Sequence, residues 1–114
     1  MKVFISQPMR GKTDEQIKEE RNSAALRIKN LFDKDVEIID SFFEGCYHEE
    51  QPLFYLGKSL ELLSQADLVY FIKGWDKSRG CKIEQRCADE YGYVQYYDES
   101  CEKPTPLGVG WIAQ

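Results

Sequence analysis

Four short apolar runs, at residues 3–6, 36–39, 68–72 and 93–97, alternate with three longer stretches in which apolar residues recur at helical spacing. A run of four or five apolar residues between turn signals reads as a buried strand, and contacts repeating every three to four positions read as a helix. The order is therefore βαβαβαβ. Strands that each follow a helix pair in parallel, so this order predicts a mostly parallel sheet with helices on both faces. At 114 residues, one domain accounts for the chain, and residues 98–114 form a tail expected to pack on that domain or on a neighbour.

The boundaries come from local chemistry. Pro8 and Gly11 turn the chain after the first strand. Thr13, followed by Gln16 three residues later, reads as a capping box. Ile17, Arg21, Ala24, Ala25, Ile28 and Leu31 then share one helical face, with Arg21 its polar exception. Pro52 suits the first turn of the second helix, where Leu53, Leu56, Leu60 and Leu63 repeat. The third helix spans residues 80–91 with Ile83, Cys87 and Tyr91 recurring, and Gly92 ends it.

In parallel sheets, ligands bind beyond the carboxyl ends of the strands. The loop at 6–12, the Asp40-Ser41 corner and the loop at 73–80 each follow a strand, so all three are expected at one edge. Arg10 offers a planar fork of donors to a phosphate, and Gly11 lets backbone approach it. Ser78 is placed to cap a helix or to bond a ligand oxygen, and Trp75 to stack on a base or to anchor its loop. Glu84 falls in the first turn of the third helix. There the positive helix end is expected to keep its carboxylate ionised, as a nucleophile requires. Cys81 is a rival nucleophile at the same helix start, but the single histidine, His48, lies in a distant polar loop.

A net charge of −5 argues against binding a nucleic-acid polymer. No apolar run is long enough to cross a membrane, and no signal peptide is expected, since Met1-Lys2 runs straight into a strand-like segment. Cys46, Cys81, Cys87 and Cys101 form no CxxC pair and read as reduced thiols of a cytoplasmic protein. No metal site or cofactor is expected. The acidic cluster Glu44, Glu49 and Glu50 and the tyrosines at 93, 96 and 97 read as solvent-facing or structural.

Taken together, Val3-Phe4-Ile5-Ser6-Gln7-Pro8-Met9-Arg10-Gly11, Ala66-Asp67-Leu68-Val69-Tyr70-Phe71, and Gly74-Trp75 followed by Ser78-x-Gly80-x-x-x-Glu84 resemble the nucleoside 2-deoxyribosyltransferase-like superfamily. The resemblance covers roughly residues 2–97. It implies a small flavodoxin-like (Rossmann-like) three-layer α/β sandwich with a mostly parallel sheet of four to five strands. It also implies a homodimer acting on a small-molecule nucleotide or nucleoside. Enzymes of this type either move a deoxyribose between bases or hydrolyse 2′-deoxynucleoside 5′-monophosphates. In both, a nucleophilic glutamate stands six residues after a polar ligand-binding residue. Those positions are Glu84 and Ser78 here, and a serine there, like the Met9-Arg10-Gly11 turn, is similar to the monophosphate hydrolase.

The residue reading and the resemblance together give Glu84 as catalytic residue and Ser6, Arg10, Gly11, Ser59, Trp75, Ser78 and Gly80 as substrate-binding positions. The chain departs from the pattern twice. Ser59 stands where the enzymes carry an aspartate, and Phe4 where they carry a tyrosine. A nucleotide-binding module without turnover is the alternative these departures suggest. A nucleotide-monophosphate phosphoribohydrolase ranks last, because the Pro-Gly-Gly turn typical of such proteins is absent.

Overall fold

The computed structural model describes residues 1–32, 35–42 and 51–98. The expectations for Cys46, His48, the Glu44/Glu49/Glu50 cluster, Cys101 and the tail beyond Asp98 lie outside the described residues. Within them the chain forms β1 (Lys2–Ser6), α1 (Asp14–Phe32), β2 (Glu37–Ile38), α2 (Pro52–Leu63), β3 (Leu68–Phe71), a 3-10 turn (Trp75–Lys77), α3 (Arg79–Glu90) and β4 (Val94–Tyr97). The four strands make one parallel sheet in the order β2-β1-β3-β4. This is the expected small flavodoxin-like α/β sandwich.

Strand alternation sorts the core into two layers. Phe4, Val69, Phe71 and Tyr97 face Leu63 of α2 and Cys81 and Ala88 of α3. Val3, Ile5, Leu68, Tyr70 and Ile72 face Ala24 and Ile28 of α1. Ser6 follows Phe4 in the alternation and points to the α2/α3 side, while Gln7 turns back to α1. The order of strands reverses between β1 and β3. The chain leaves β1 toward α1 on one face and leaves β3 toward α3 on the other. A crevice at the carboxyl edge, between these diverging loops, follows from that topology.

The capping box forms as its spacing requires: the Thr13 N–H donates to Gln16 Oε1, and the Gln16 N–H to Thr13 Oγ1. Gly92, at a φ of 74°, closes α3. The helical faces differ in part from expectation. Ile17, Arg21, Ala24 and Ile28 are buried, but Leu31 is exposed near the end of α1. Only Leu63 of the α2 leucine series is buried, and Leu53 at its start remains 78% exposed. In α3 the buried residues are Cys81, Glu84, Ala88 and Asp89, so the face runs one position beside the apolar stripe Ile83, Cys87 and Tyr91. On that face Cys81 and Ala88 join the core, and Gln95 on β4, fully buried, bonds Asp89 and is reached by Gln85.

Candidate functional site

The site begins at the end of β1. Ser6 is fully buried, and its hydroxyl donates to Glu84 Oε1 at 2.7 Å. This bond joins the last residue of one central strand to the second turn of α3 across 78 positions of sequence. The Ser78 hydroxyl caps α3 by accepting the Cys81 N–H at 3.3 Å. The loops after β1 and β3 also touch. A Cβ added to Gly74 would lie 3.5 Å from the Pro8 side chain, and Gly74 itself needs its φ of 93° to make that turn. Two of the three expected loops therefore meet. The Asp40-Ser41 corner goes elsewhere: Arg21 Nη2 donates to Ile39 O at 2.7 Å and to Ser41 Oγ at 2.9 Å under α1.

Glu84 keeps 7% of its surface exposed. Burial raises its pKa to about 7, and the Ser6 hydrogen bond pulls the other way without cancelling it. The expectation of a first-turn, fully ionised carboxylate is corrected on both counts: α3 begins at Arg79 with no acid in its first turn, so Glu84 stands in the second turn where the helix end acts weakly, and desolvation raises its pKa. Oε1 is occupied by Ser6. Among the described residues Oε2 accepts no hydrogen bond, and it is not one of the sealed unpartnered atoms, which are Gln7 Oε1, Arg21 Nη1 and Asp89 Oδ2. One carboxyl oxygen is thus held, and the other has no partner among the described residues.

Cys81 lies against the same group. Burial first, and then the Glu84 charge, push its thiol up to about 12, while Ser6, Ser78 and the Lys12 charge draw it down. A thiol with that pKa is a poor nucleophile at neutral pH.

The remaining expected positions separate. Trp75 is 6% exposed and packs its ring near Phe71 and Tyr97, at centroid distances of 5.4 and 5.3 Å. It anchors the loop into the core and offers no open face to a base. Ser59 is half-buried in α2 and makes no hydrogen bond to the Glu84 cluster. Phe4 is a core residue. Gly80 and Gly11 leave open space, since a Cβ at either would meet nothing within 4 Å. That is the condition for a ligand to approach the backbone closely at the first turn of α3 and at the loop after β1.

Arg10 is exposed at the tip of the Met9–Lys12 turn, which the Lys12 N–H closes onto Met9 O at 3.2 Å. Gly11 supplies the φ of 78° needed at its third position. The turn sends Lys12 back inward, where Nζ bonds both oxygens of Glu20 at 2.8 and 2.9 Å. Gln7 Nε2 donates to the same carboxylate at 3.3 Å and to Ile17 O at 2.8 Å.

A family model described as a domain of unknown function (DUF4406) matches residues 1–97. The chain belongs to that family. No curated protein and no solved structure matches it. In this DUF4406 chain an open cleft of about 560 Å³ lies at the sheet edge on the α1 side, and neither Ser6 nor Glu84 is among the residues that line it. Gly11 and Lys12 line it from the loop after β1, Ile72 and Lys73 from the loop after β3, and Asp98 from the end of β4. One flank of α1 forms the opposite wall. The cleft is the crevice that the topology requires, and its volume suits a small organic ligand. Sequence reading did not single out Lys12 or Lys73. The turn signal at 9–12 was visible, but its consequence for which cation points inward was not. Among the described residues, no helix is long and apolar enough to cross a membrane.

Proposed function

We propose that this chain is an N-glycosidic-bond enzyme acting on a deoxynucleoside 5′-monophosphate-like substrate, with Glu84 as nucleophile. The observation that carries the reading is the Ser6–Glu84 pair at the switch point, where one carboxyl oxygen is fixed at 2.7 Å and the other has no partner among the described residues. Fixing one oxygen orients the second without occupying it. Glu84 Oε2 forms an ester bond to C1′ of the sugar. The C1′–N bond breaks, its electron pair leaves with the base, and the base takes a proton. Water, or a second base, then attacks C1′ and releases the carboxylate, which is the two-step logic of retaining glycosidases. Only the ionised carboxylate attacks, so turnover is expected to rise with pH through about 7. The open backbone at Gly11 and Gly80 leaves room for close approach of an anionic group. A nucleotide substrate fits a cytoplasmic homodimer, as the resemblance to the deoxyribosyltransferase-like enzymes implies.

The second reading, a nucleotide-binding module, is favoured by the near-complete burial of Glu84 and by Ser59 and Phe4 at the aspartate and tyrosine positions. One experiment separates the two. The protein is incubated with each of the four deoxynucleoside 5′-monophosphates, and free base is followed by chromatography. Base release that disappears in Glu84→Ala supports the enzyme. Release that persists in Glu84→Ala ends the proposed mechanism. Saturable binding by thermal shift, with no release at all, assigns the module.

A further inference from the structure

Lys12 and Lys73 come from the two loops that diverge at the switch point, and both line the same cleft. We infer that these two lysines, and not Arg10, hold the phosphate of a nucleoside monophosphate in that cleft, an inference that rests on the nucleotide reading above. The type II turn at Met9–Lys12 decides between the cations. Its tip carries Arg10 out to solvent, where it has no ionic partner among the described residues, and its last position returns Lys12 to the cleft.

Lys12 is already oriented for an anion. Its side chain is 29% exposed, and Glu20, itself braced by Gln7, holds Nζ in place. Lys73 is exposed and has no ionic partner among the described residues, so its charge is free for a ligand.

The cleft also carries acids. Glu20 is neutralised by Lys12, and Asp98 by Arg27 at 2.7 Å with a further hydrogen bond from Tyr70. Glu19, on α1, is the remaining carboxylate of the lining. With those pairs set aside, the loop side keeps the charge of Lys73 and the α1 side that of Glu19, so the phosphate belongs on the loop side, with the rest of the nucleotide toward α1. A dianionic phosphate competes well with a monoanionic carboxylate for an ammonium group, so Lys12 can pass from Glu20 to the ligand.

The test is calorimetric binding of the four deoxynucleoside 5′-monophosphates, the matching deoxynucleosides and inorganic phosphate. It is run on the Glu84→Gln protein so that no turnover interferes. Lys12→Met and Lys73→Met are each expected to weaken monophosphate binding roughly tenfold, as loss of one charge-assisted contact should. Deoxynucleoside affinity should stay within about twofold, and Arg10→Met should change neither. Because Lys12→Met removes the partner of Glu20, Lys73→Met at an exposed position guards against a folding defect. Glu20→Gln, which frees Lys12, should tighten monophosphate binding. Wild-type monophosphate affinity in both lysine variants, equal losses for phosphorylated and unphosphorylated ligands, a loss in Arg10→Met alone, or no monophosphate binding would each overturn the assignment. Absence of base release from the wild-type chain, with the lysine dependence intact, leaves the phosphate site standing and removes only the Glu84 chemistry.

Discussion

Glu84→Gln should stabilise this protein, and by an amount that depends on pH. The folded carboxyl loses its proton near pH 7, whereas the same group in the unfolded chain does so near its ordinary value of 4.5. Between those values the folded state binds more protons than the unfolded state. Stability therefore falls as pH rises through the window, and levels off above about 7. At about 1.4 kcal/mol per pH unit, the span corresponds to about 3 kcal/mol. Glutamine keeps the carbonyl that accepts from Ser6 and carries no charge to desolvate. The variant and the wild type should accordingly be close in stability at pH 4.5 and differ by about 3 kcal/mol at pH 8, in favour of the variant. For a chain of this length that is roughly 10 °C in Tm. Thermal unfolding of both proteins across pH 4.5–8 measures the gap, and most other titrations cancel in the difference. Ser6→Ala provides an internal check. It removes the bond that favours the ionised form, so its own loss of stability should continue above pH 7. A gap that stays flat across the window, or a wild type that gains on the variant as pH rises, would refute the claim that burial dominates this carboxyl.

Two further outcomes test the assignments around it. Trp75→Ala should cost about 3–5 kcal/mol in urea unfolding, because it empties a buried ring site between Phe71 and Tyr97; a loss below about 1 kcal/mol would return Trp75 to the list of open ligand contacts. Iodoacetamide labelling with peptide mapping should modify the half-buried Cys87 well before Cys81, whose thiol burial pushes up to about 12; labelling of Cys81 first would restore it as a nucleophile.

What the chain determined by itself was the framework. Short apolar runs, helical spacing of apolar residues, the Thr13/Gln16 box, Pro52 and Gly92 are local signals, each read from a few neighbouring residues, and they locate four strands and three helices. Element order then fixed a parallel sheet and the edge where the loops after β1 and β3 meet, though not the departure of the Asp40-Ser41 corner toward Arg21. Tertiary structure decided everything that depends on which neighbour a side chain meets. It turned Trp75 inward and sent Arg10 out and Lys12 back at one turn. It placed Ser6 against Glu84, two residues 78 positions apart. It also reversed the argument about ionisation at Glu84. A helix end acts along the sequence and can be read from it, but desolvation depends on how much water the packed neighbours exclude, and no short stretch of sequence carries that quantity.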